Sequence, residues 1–422
     1  MSAIRLHLLP LLCGLPLCAG ICPAAGAEDL AAVEADALAL PRPPPSAPPP
    51  HQEFAMRTEY VETVIIGAGQ AGLATGYHLQ RAGRSFVILD GEGRVGDGWR
   101  RQWDTLRLFS PAWADSLPGL PNPAPRWSFP SKDEFADYLE TYAATFGLPV
   151  RLASRVTSVT ADGAGFVVTT GEARIECGNV VVCTGTFGRT PRVPGFADQL
   201  DPSIRQLHSS EYRRPAQLAE GTVLVVGASH SGCDIAYEAA ETHPTVMVGP
   251  DRGQIPVPFT SPLMMVVYPM MLFAFTHVLT RSNPLGRKAR VEFSHGGPRL
   301  RVQERDLAER GVDWARGRVV GVVDGRPVLD DGRVVDPGTV VWCTGFRQVF
   351  DWVDLPAFDE GGWPREYRGV VEGVPGLFFC GIQFQYSAAS MVIHGVGRDA
   401  GHVAGLIVRR QRTGGHRVEQ AA

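Results

Sequence analysis

Three things are scarce in this sequence, and each removes a class of protein. No C-x-x-C occurs among the 8 cysteines, which leaves neither the common zinc spacing nor a redox-active dithiol motif; no metal site is expected. Positive charge is not in excess: Lys+Arg 40 stand against Asp+Glu 44, a formal net charge of −4. Nucleic-acid binding needs a basic surface, so no nucleic acid is expected as partner. Long apolar runs are also missing beyond the N-terminus. The most apolar internal stretch runs from Leu263 to Phe275 (LMMVVYPMMLFAF), 13 residues interrupted by Pro269. A bilayer-spanning helix needs about 20. That stretch could line a substrate tunnel, touch a membrane face, close a homodimer or simply pack in the core.

What is present is glycine, 48 of 422 residues, and two of its clusters sit in a telling context. A three-glycine spacing alone is weak, and Gly91-x-Gly93-x-x-Gly96 is a decoy with no small-residue helix after it. Gly67-Ala68-Gly69-Gln70-Ala71-Gly72 differs. The apolar run 61–66 feeds it as a buried parallel strand, and small or apolar residues continue it as a helix. Gly67 permits the tight turn, Gly69 the approach of a pyrophosphate, and Gly72 the close packing of helix on strand. The helix start offers free N–H groups to phosphate. A second strand, 85–89, ends at Asp90, at about the offset where an acid accepts hydrogen bonds from a ribose. A free acid there disfavours a 2′-phosphate, so this unit should hold FAD or NAD.

The pattern recurs at 222–241. The strand 222–226 (TVLVV) runs into Gly227-Ala228-Ser229-His230-Ser231-Gly232 and a helix over 233–241. Ser229 takes the place of the middle glycine. The next strand, 245–248, ends in Gly249-Pro250-Asp251-Arg252. A guanidinium at this position can pair with a 2′-phosphate, which favours NADPH, although Asp251 opposes it and Arg252 could equally be a solvated loop charge. Two such units in one chain, one acidic and one basic at the ribose position, suggest an electron-transfer pair.

Between the units lies a Trp- and Pro-rich insertion, 91–150. Ser131-Lys132-Asp133-Glu134 forms a capping box that starts a helix through about Phe146. Strands should alternate over 156–183, with Asp162-Gly163 as a hairpin signal. Val181-Val182-Cys183-Thr184-Gly185 and Val340-Val341-Trp342-Cys343-Thr344-Gly345 are two similar strand ends. They mark either the crossings between two domains or an ordinary pair of strand ends. Cys183, Cys233, Cys343 and Cys380 sit beside apolar runs and read as buried small hydrophobes. A strand over 376–381 and a helix over 394–408 close the chain.

Residues 1–27 resemble a signal peptide, with Arg5, an apolar stretch 6–21 and Ala25-Gly26-Ala27. Residues 41–50 (PRPPPSAPPP) form a stiff linker that cannot build a core. Either the chain is exported, or translation begins at Met56; the second reading is preferred, because a nicotinamide is supplied by the cytoplasm, and places the protein there.

These residues resemble the class B flavin-dependent monooxygenases, including flavin-containing, YUCCA-type and Baeyer–Villiger enzymes, and above all bacterial CzcO-like oxidoreductases. The likeness covers about residues 60–412. It rests on both glycine turns, on Arg94-Val95-Gly96-Asp97-Gly98-Trp99, and on Trp103-Asp104-Thr105-Leu106-Arg107-Leu108. It rests also on His208-Ser209-Ser210-Glu211-Tyr212-Arg213 and Cys343-Thr344-Gly345-Phe346. One departure is the F-x-G opening of the family fingerprint, replaced here by Pro202 and Ile204.

The resemblance implies an α/β fold of two nested Rossmann-like domains, the FAD domain discontinuous and the NADPH domain inserted into it. The expected divisions are 1–55 (leader and linker), 56–195 (FAD domain), 196–338 (NADPH domain, with the apolar insert near 255–280), 339–412 (return to the FAD domain) and 413–422 (tail). It implies FAD and NADPH as cofactors. It further implies a flavin C4a-hydroperoxide that oxygenates a small substrate at nitrogen, sulfur or a carbonyl, with O2 as co-substrate. Gly98, Trp99, Arg107, Thr184 and Gly185 would join the FAD site, and Thr344 and Gly345 the domain link. His208 is the one candidate for a catalytic or ordering role; a packed loop histidine is the other reading. Two alternatives stand beside oxygenation: a flavin reductase that passes electrons to an acceptor, and a non-catalytic nucleotide sensor.

Overall fold

The computed structural model describes residues 57–185, 190–255, 257–259, 261–293 and 296–419; the leader, the Pro-rich linker and Met56 lie outside them. The first strand, Arg57–Ile66, pairs in parallel with Phe86–Leu89 on one side and Ala173–Val182 on the other. Val64, Ile65 and Ile66 are buried, as a strand covered on both faces must be, and an unbroken apolar run supplies this. It starts earlier than expected because 57–61 also find partners, in residues 173–177. The helix Gln70–Arg81 lays Leu73, Ala74, Tyr77 and Leu79 onto the sheet. The last helix, Ile393–Glu419, packs against it, with His78 Nε2 3.1 Å from the Gly397 carbonyl.

This first sheet has ten strands. Val156–Asp162, Gly165–Thr170 and Ala173–Val182 form the antiparallel meander on one flank, as the hairpin signal implied. Leu377–Phe379 adds in parallel to the C-terminal half of Ala173–Val182. The insertion helix Lys132–Thr145 carries both halves of its capping box and buries Phe135, Tyr138, Leu139 and Tyr142 on one face.

A separate five-stranded sheet has the order Asp313–Ala315, Thr245–Val248, Thr222–Val226, Pro337–Trp342, Arg205–His208. Every neighbouring pair in it is parallel. Its helix is His230–Ala239, which starts inside the glycine motif, capped at Ser229, rather than at Cys233. The two sheets are joined by Thr190–Pro191 lying antiparallel to Phe346–Arg347. Pro337–Trp342 lies wholly in the second sheet, whereas the expected division placed 339–342 with the first unit. Pro-Gly at 337–338 reads as a breaker, but proline is tolerated as the first residue of a strand.

The apolar stretch forms a helix, Met264–Phe273, with a π-turn over Ala274–Val278. No helix among the described residues is long and apolar enough to cross a membrane.

The capping box gives a direct stability test. Ser131→Ala removes the acceptor for the Glu134 N–H at 3.2 Å and should cost about 1 kcal/mol. Urea unfolding followed by circular dichroism measures it; an unchanged midpoint would mean that the box contributes nothing.

Candidate active site

The first glycine turn is shaped by backbone pressing on backbone. Gly67 has φ +109°, and a Cβ there would sit 2.7 Å from the Cys183 carbonyl oxygen. A Cβ on Gly72 would lie 1.8 Å from the Gly67 oxygen. Only glycine fits either place. The helix cap at Gly69 has no side-chain hydrogen bond, so the N–H groups of the first turn stay available to an anion. Asp90, at the end of Phe86–Leu89, accepts from Ala68 N–H at 2.5 Å and from Glu92 N–H at 2.8 Å. The acid is thereby fixed against the turn.

A cavity of about 300 Å³ opens here. Of the residues expected at the site, Gly67, Gly69, Asp90, Gly98, Trp99 and Thr184 line it. Gln70, Ala71 and Gly72 form the helix start behind the turn, and Gly185, at φ +76°, follows Thr184 out of the strand. Two buried polar atoms in this region have no hydrogen-bond partner: Trp99 Nε1 and Gln70 Oε1. Buried polar groups are almost always satisfied, so an unpartnered donor lining a cavity beside a phosphate-type turn fits a bound dinucleotide.

Arg107 lies elsewhere. It is exposed, and its guanidinium donates to the Phe129 carbonyl at 3.0 Å. Leu106 and Leu108 on either side are buried, and extended backbone sends successive side chains to opposite faces. The cavity also takes in residues that sequence reasoning did not select: Glu92, Arg94, Asp97, Arg155, Val349 and Trp352. Gly91 and Gly96 of the decoy pattern line it too, although that segment is no phosphate turn.

The second turn repeats the first. Gly227 has φ +119°, and a Cβ there would meet the Cys343 oxygen at 2.3 Å; one on Gly232 would meet the Gly227 oxygen at 1.7 Å. Ser229 turns its hydroxyl outward to the Gly297 carbonyl, 2.9 Å away, so its side chain leaves the backbone of the turn clear. His230 is buried with its ring 5.2 Å from Phe109 of the insertion, and Ser231 is half-buried on the same turn. At the end of Thr245–Val248, Asp251 accepts from Gly253 N–H and from Arg299, each at 2.7 Å. Partial burial would raise this carboxyl, but those two bonds and the nearby Arg316 hold it below its ordinary value. Arg299 and Arg316 both lie 4.6 Å from the Trp314 ring centroid. Arg252 has no ion pair among the described residues and adds a third cation here.

His208 ends the edge strand Arg205–His208 of the second sheet and does not line the cavity. Its Nε2 is 3.1 Å from the Gly345 carbonyl and its Nδ1 2.8 Å from the Ser210 hydroxyl. Burial lowers its pKa, outweighing the Gly345 bond and the charge of Glu211. The neutral ring thus donates from Nε2 and accepts at Nδ1, where the Ser210 N–H also points at 3.2 Å. Thr344 donates to the Arg192 carbonyl, and Arg192 N–H donates to Gly345 at 2.9 Å. Tyr212 donates to Glu238 at 2.8 Å, fastening the link to the second unit's helix. Ile204, at the departure from F-x-G, is buried in the core of the second sheet with Trp342. The five described cysteines are free. Burial pushes the Cys177 thiol up to about 12 and Cys183 well above its ordinary value, which leaves them protonated and unreactive.

Two nested parallel units, each with a dinucleotide-type turn, define a class of nucleotide-dependent oxidoreductases. The comparisons agree: the family model for pyridine nucleotide-disulphide oxidoreductases matches residues 64–279. A CzcO-like oxidoreductase of Geobacillus kaustophilus is 35% identical over 342 residues, which is 81% of this chain and 96% of that protein. The indole-3-pyruvate monooxygenase YUCCA1 of Oryza sativa subsp. japonica is 35% identical over 182 residues, 42% of this chain and 44% of that one. Among solved structures, the flavin-containing monooxygenase of Stenotrophomonas maltophilia superposes with a TM-score of 0.69 at 26% identity, covering 83% of this chain and 99% of that chain. The chain belongs to the class B flavin-dependent monooxygenase family, whose cofactors are FAD and a nicotinamide dinucleotide.

The link predicts an acid sensitivity. Because the folded pKa of His208 is lowered, its contribution to stability is complete above the ordinary histidine value near 6.5 and is lost as pH falls through the folded value. The melting temperature should therefore drop between about pH 7.5 and 5.5, and His208→Gln should flatten that drop. Parallel curves for the two proteins would rule out a buried neutral histidine at this place.

Proposed function

We propose that this chain is an NADPH- and FAD-dependent monooxygenase that oxygenates a small organic substrate at nitrogen, sulfur or a carbonyl carbon through a flavin C4a-hydroperoxide. The observation that carries the reading is the cavity at the first turn, lined by both Asp90 and Trp99, whose Nε1 is buried without a hydrogen-bond partner. FAD is assigned there. The turn at Gly67–Gly72 would hold its pyrophosphate and Asp90 would exchange its bonds to Ala68 and Glu92 for ribose hydroxyls. Gly98, Trp99 and Thr184 would shape the remaining wall.

NADPH is assigned to the second turn, with Gly227, Ser229, His230, Ser231 and Gly232 around the phosphates and Arg252 at the 2′-phosphate. The flavin supplies the redox and oxygen chemistry when bound. The protein's part is to hold two dinucleotides in fixed relation and to keep water out of the space between them. His208, Thr344 and Gly345 serve as positioning residues, since they set the link through which the units face one another. The assigned extents are 57–195 and 343–412 for the FAD unit and 196–342 for the NADPH unit.

A second reading rests on one feature. Ile204 is committed to the core of the second sheet, where the family fingerprint has its F-x-G opening. A reductase that hands electrons to an acceptor would not need that link to behave as in the monooxygenases.

Rapid mixing of NADPH-reduced protein with O2 separates the two. A transient absorbance preceding oxidised flavin is expected. Direct return to oxidised flavin with stoichiometric peroxide would overturn oxygenation and favour the reductase. For the nicotinamide, Arg252→Ala should weaken NADPH by roughly ten-fold or more, the worth of one charge-assisted hydrogen bond, and leave NADH nearly unchanged. Equal weakening of both would remove Arg252 from the phosphate site.

A further inference from the structure

The helix Met264–Phe273 is apolar on every side, yet only one side is covered. Met264, Tyr268 and Leu272 are buried, with Tyr268 packed 6.0 Å from Trp113 of the insertion. On the other side Leu263, Met265, Val266, Met270 and Phe273 are between 54% and 68% exposed. Single exposed apolar side chains are ordinary, but a contiguous uncovered row marks a contact surface. Residues 261–280 contain no Asp, Glu, Lys or Arg at all, and the exposed polar side chain beside the row is His277, its ring 4.8 Å from Phe273.

The neighbouring helix, Pro284–Phe293, meets this segment through Phe275 and Phe293, whose rings lie 6.1 Å apart. It exposes Leu285 and Val291, 60% and 61%, together with Arg287 and Lys288. From 281 to 291 the charges are Arg281, Arg287, Lys288 and Arg290, and the first acid is Glu292. Arg281 is taken up by Glu366; Arg287 and Lys288 have no ion pair among the described residues.

We infer that this face docks in the plane of an anionic lipid bilayer, the apolar row entering the acyl boundary and Arg287 and Lys288 meeting the headgroups. Ten helical residues reach only about 15 Å, half of a bilayer core, and Pro269 interrupts them, so the helix lies on the membrane without crossing it. Charge favours lipid over a second copy of the chain. A two-fold interface presents the same patch from both sides, and this patch offers cations with almost no acids to answer them. Residues 261–291 carry cations but no acid, so a protein partner would have to supply every counter-charge, which an anionic headgroup layer does. The inference goes beyond the redox reading and does not depend on it.

The test is sedimentation of the full chain with vesicles of phosphatidylcholine alone or mixed with phosphatidylglycerol. The protein should pellet with the mixed vesicles, and salt should weaken binding. Met270→Glu/Phe273→Glu should weaken it at least ten-fold. Arg287→Ala/Lys288→Ala, both surface changes, should weaken it about five-fold for each charge removed. Melting curves confirm that each variant is folded, and lipid binding is scored without any cofactor. No pelleting of the wild type would overturn the inference. So would equal pelleting of wild type and both variants, which would place the contact elsewhere in the chain. A dimer in analytical ultracentrifugation that Met270→Glu/Phe273→Glu dissolves, with no lipid dependence, would replace the membrane by a second copy.

Discussion

The architecture depends on a contact too close for any side chain. In each unit the carbonyl at the end of one parallel strand presses on the first glycine of the turn, Cys183 on Gly67 and Cys343 on Gly227. The helix that follows is pulled onto the turn by a second close approach, Gly72 on Gly67 and Gly232 on Gly227. Together these hold the turn at positive φ and aim the helix start outward, and a phosphate meets free N–H groups instead of side chains. Any larger residue would lift the helix from the sheet and disperse those donors. The cavity, the fixed Asp90 and the second site's cations are arranged around that geometry.

The two copies need a rigid relation to one another, and the link supplies it with backbone polar groups. Thr190–Pro191 and Phe346–Arg347 form the short ribbon. His208 reads its position from both sides, bonding Ser210 within its own segment and Gly345 on the returning strand. A neutral imidazole suits this place because one nitrogen must donate and the other accept. Burial keeps it in that state. Tyr212, held to Glu238, ties the same segment to the helix of the second turn. A displacement of one unit would therefore break several buried bonds at once, which favours a small set of relative orientations.

What was legible in the sequence was local. Val64, Ile65 and Ile66 announce a buried strand, and the glycines after them a turn; Ser131 and Glu134 announce a helix start, and all appear where read. The site was legible only in part, because a cavity is built by long-range pairing. Val349 and Trp352 reach it since Val353–Asp354 pairs with Val156–Asp162, an association that no local pattern encodes. Gly91 and Gly96 carry the spacing of a phosphate turn without its strand and helix, yet they border the cavity as plain wall. Arg107 is a different case. It stands among landmark residues, but alternation between buried Leu106 and Leu108 turns it to solvent.

The insertion ties these features to the apolar helix through an unusual acid. Asp115 is fully buried, and burial raises its carboxyl well above the ordinary range, against the opposing hydrogen bond from Ser110. An isolated carboxylate in that layer would be costly, so burial favours the protonated form. Tyr268 of the apolar helix is raised as well, by its own burial first and by Asp115 second. A neutral acid and a neutral phenol can share an apolar layer that a charge would flood with water. The inner face of the helix can then stay dry and well packed, its position set by Trp113 and Phe109, the latter resting on His230 of the second turn. The outer face, held in place from behind, is left to meet whatever covers it.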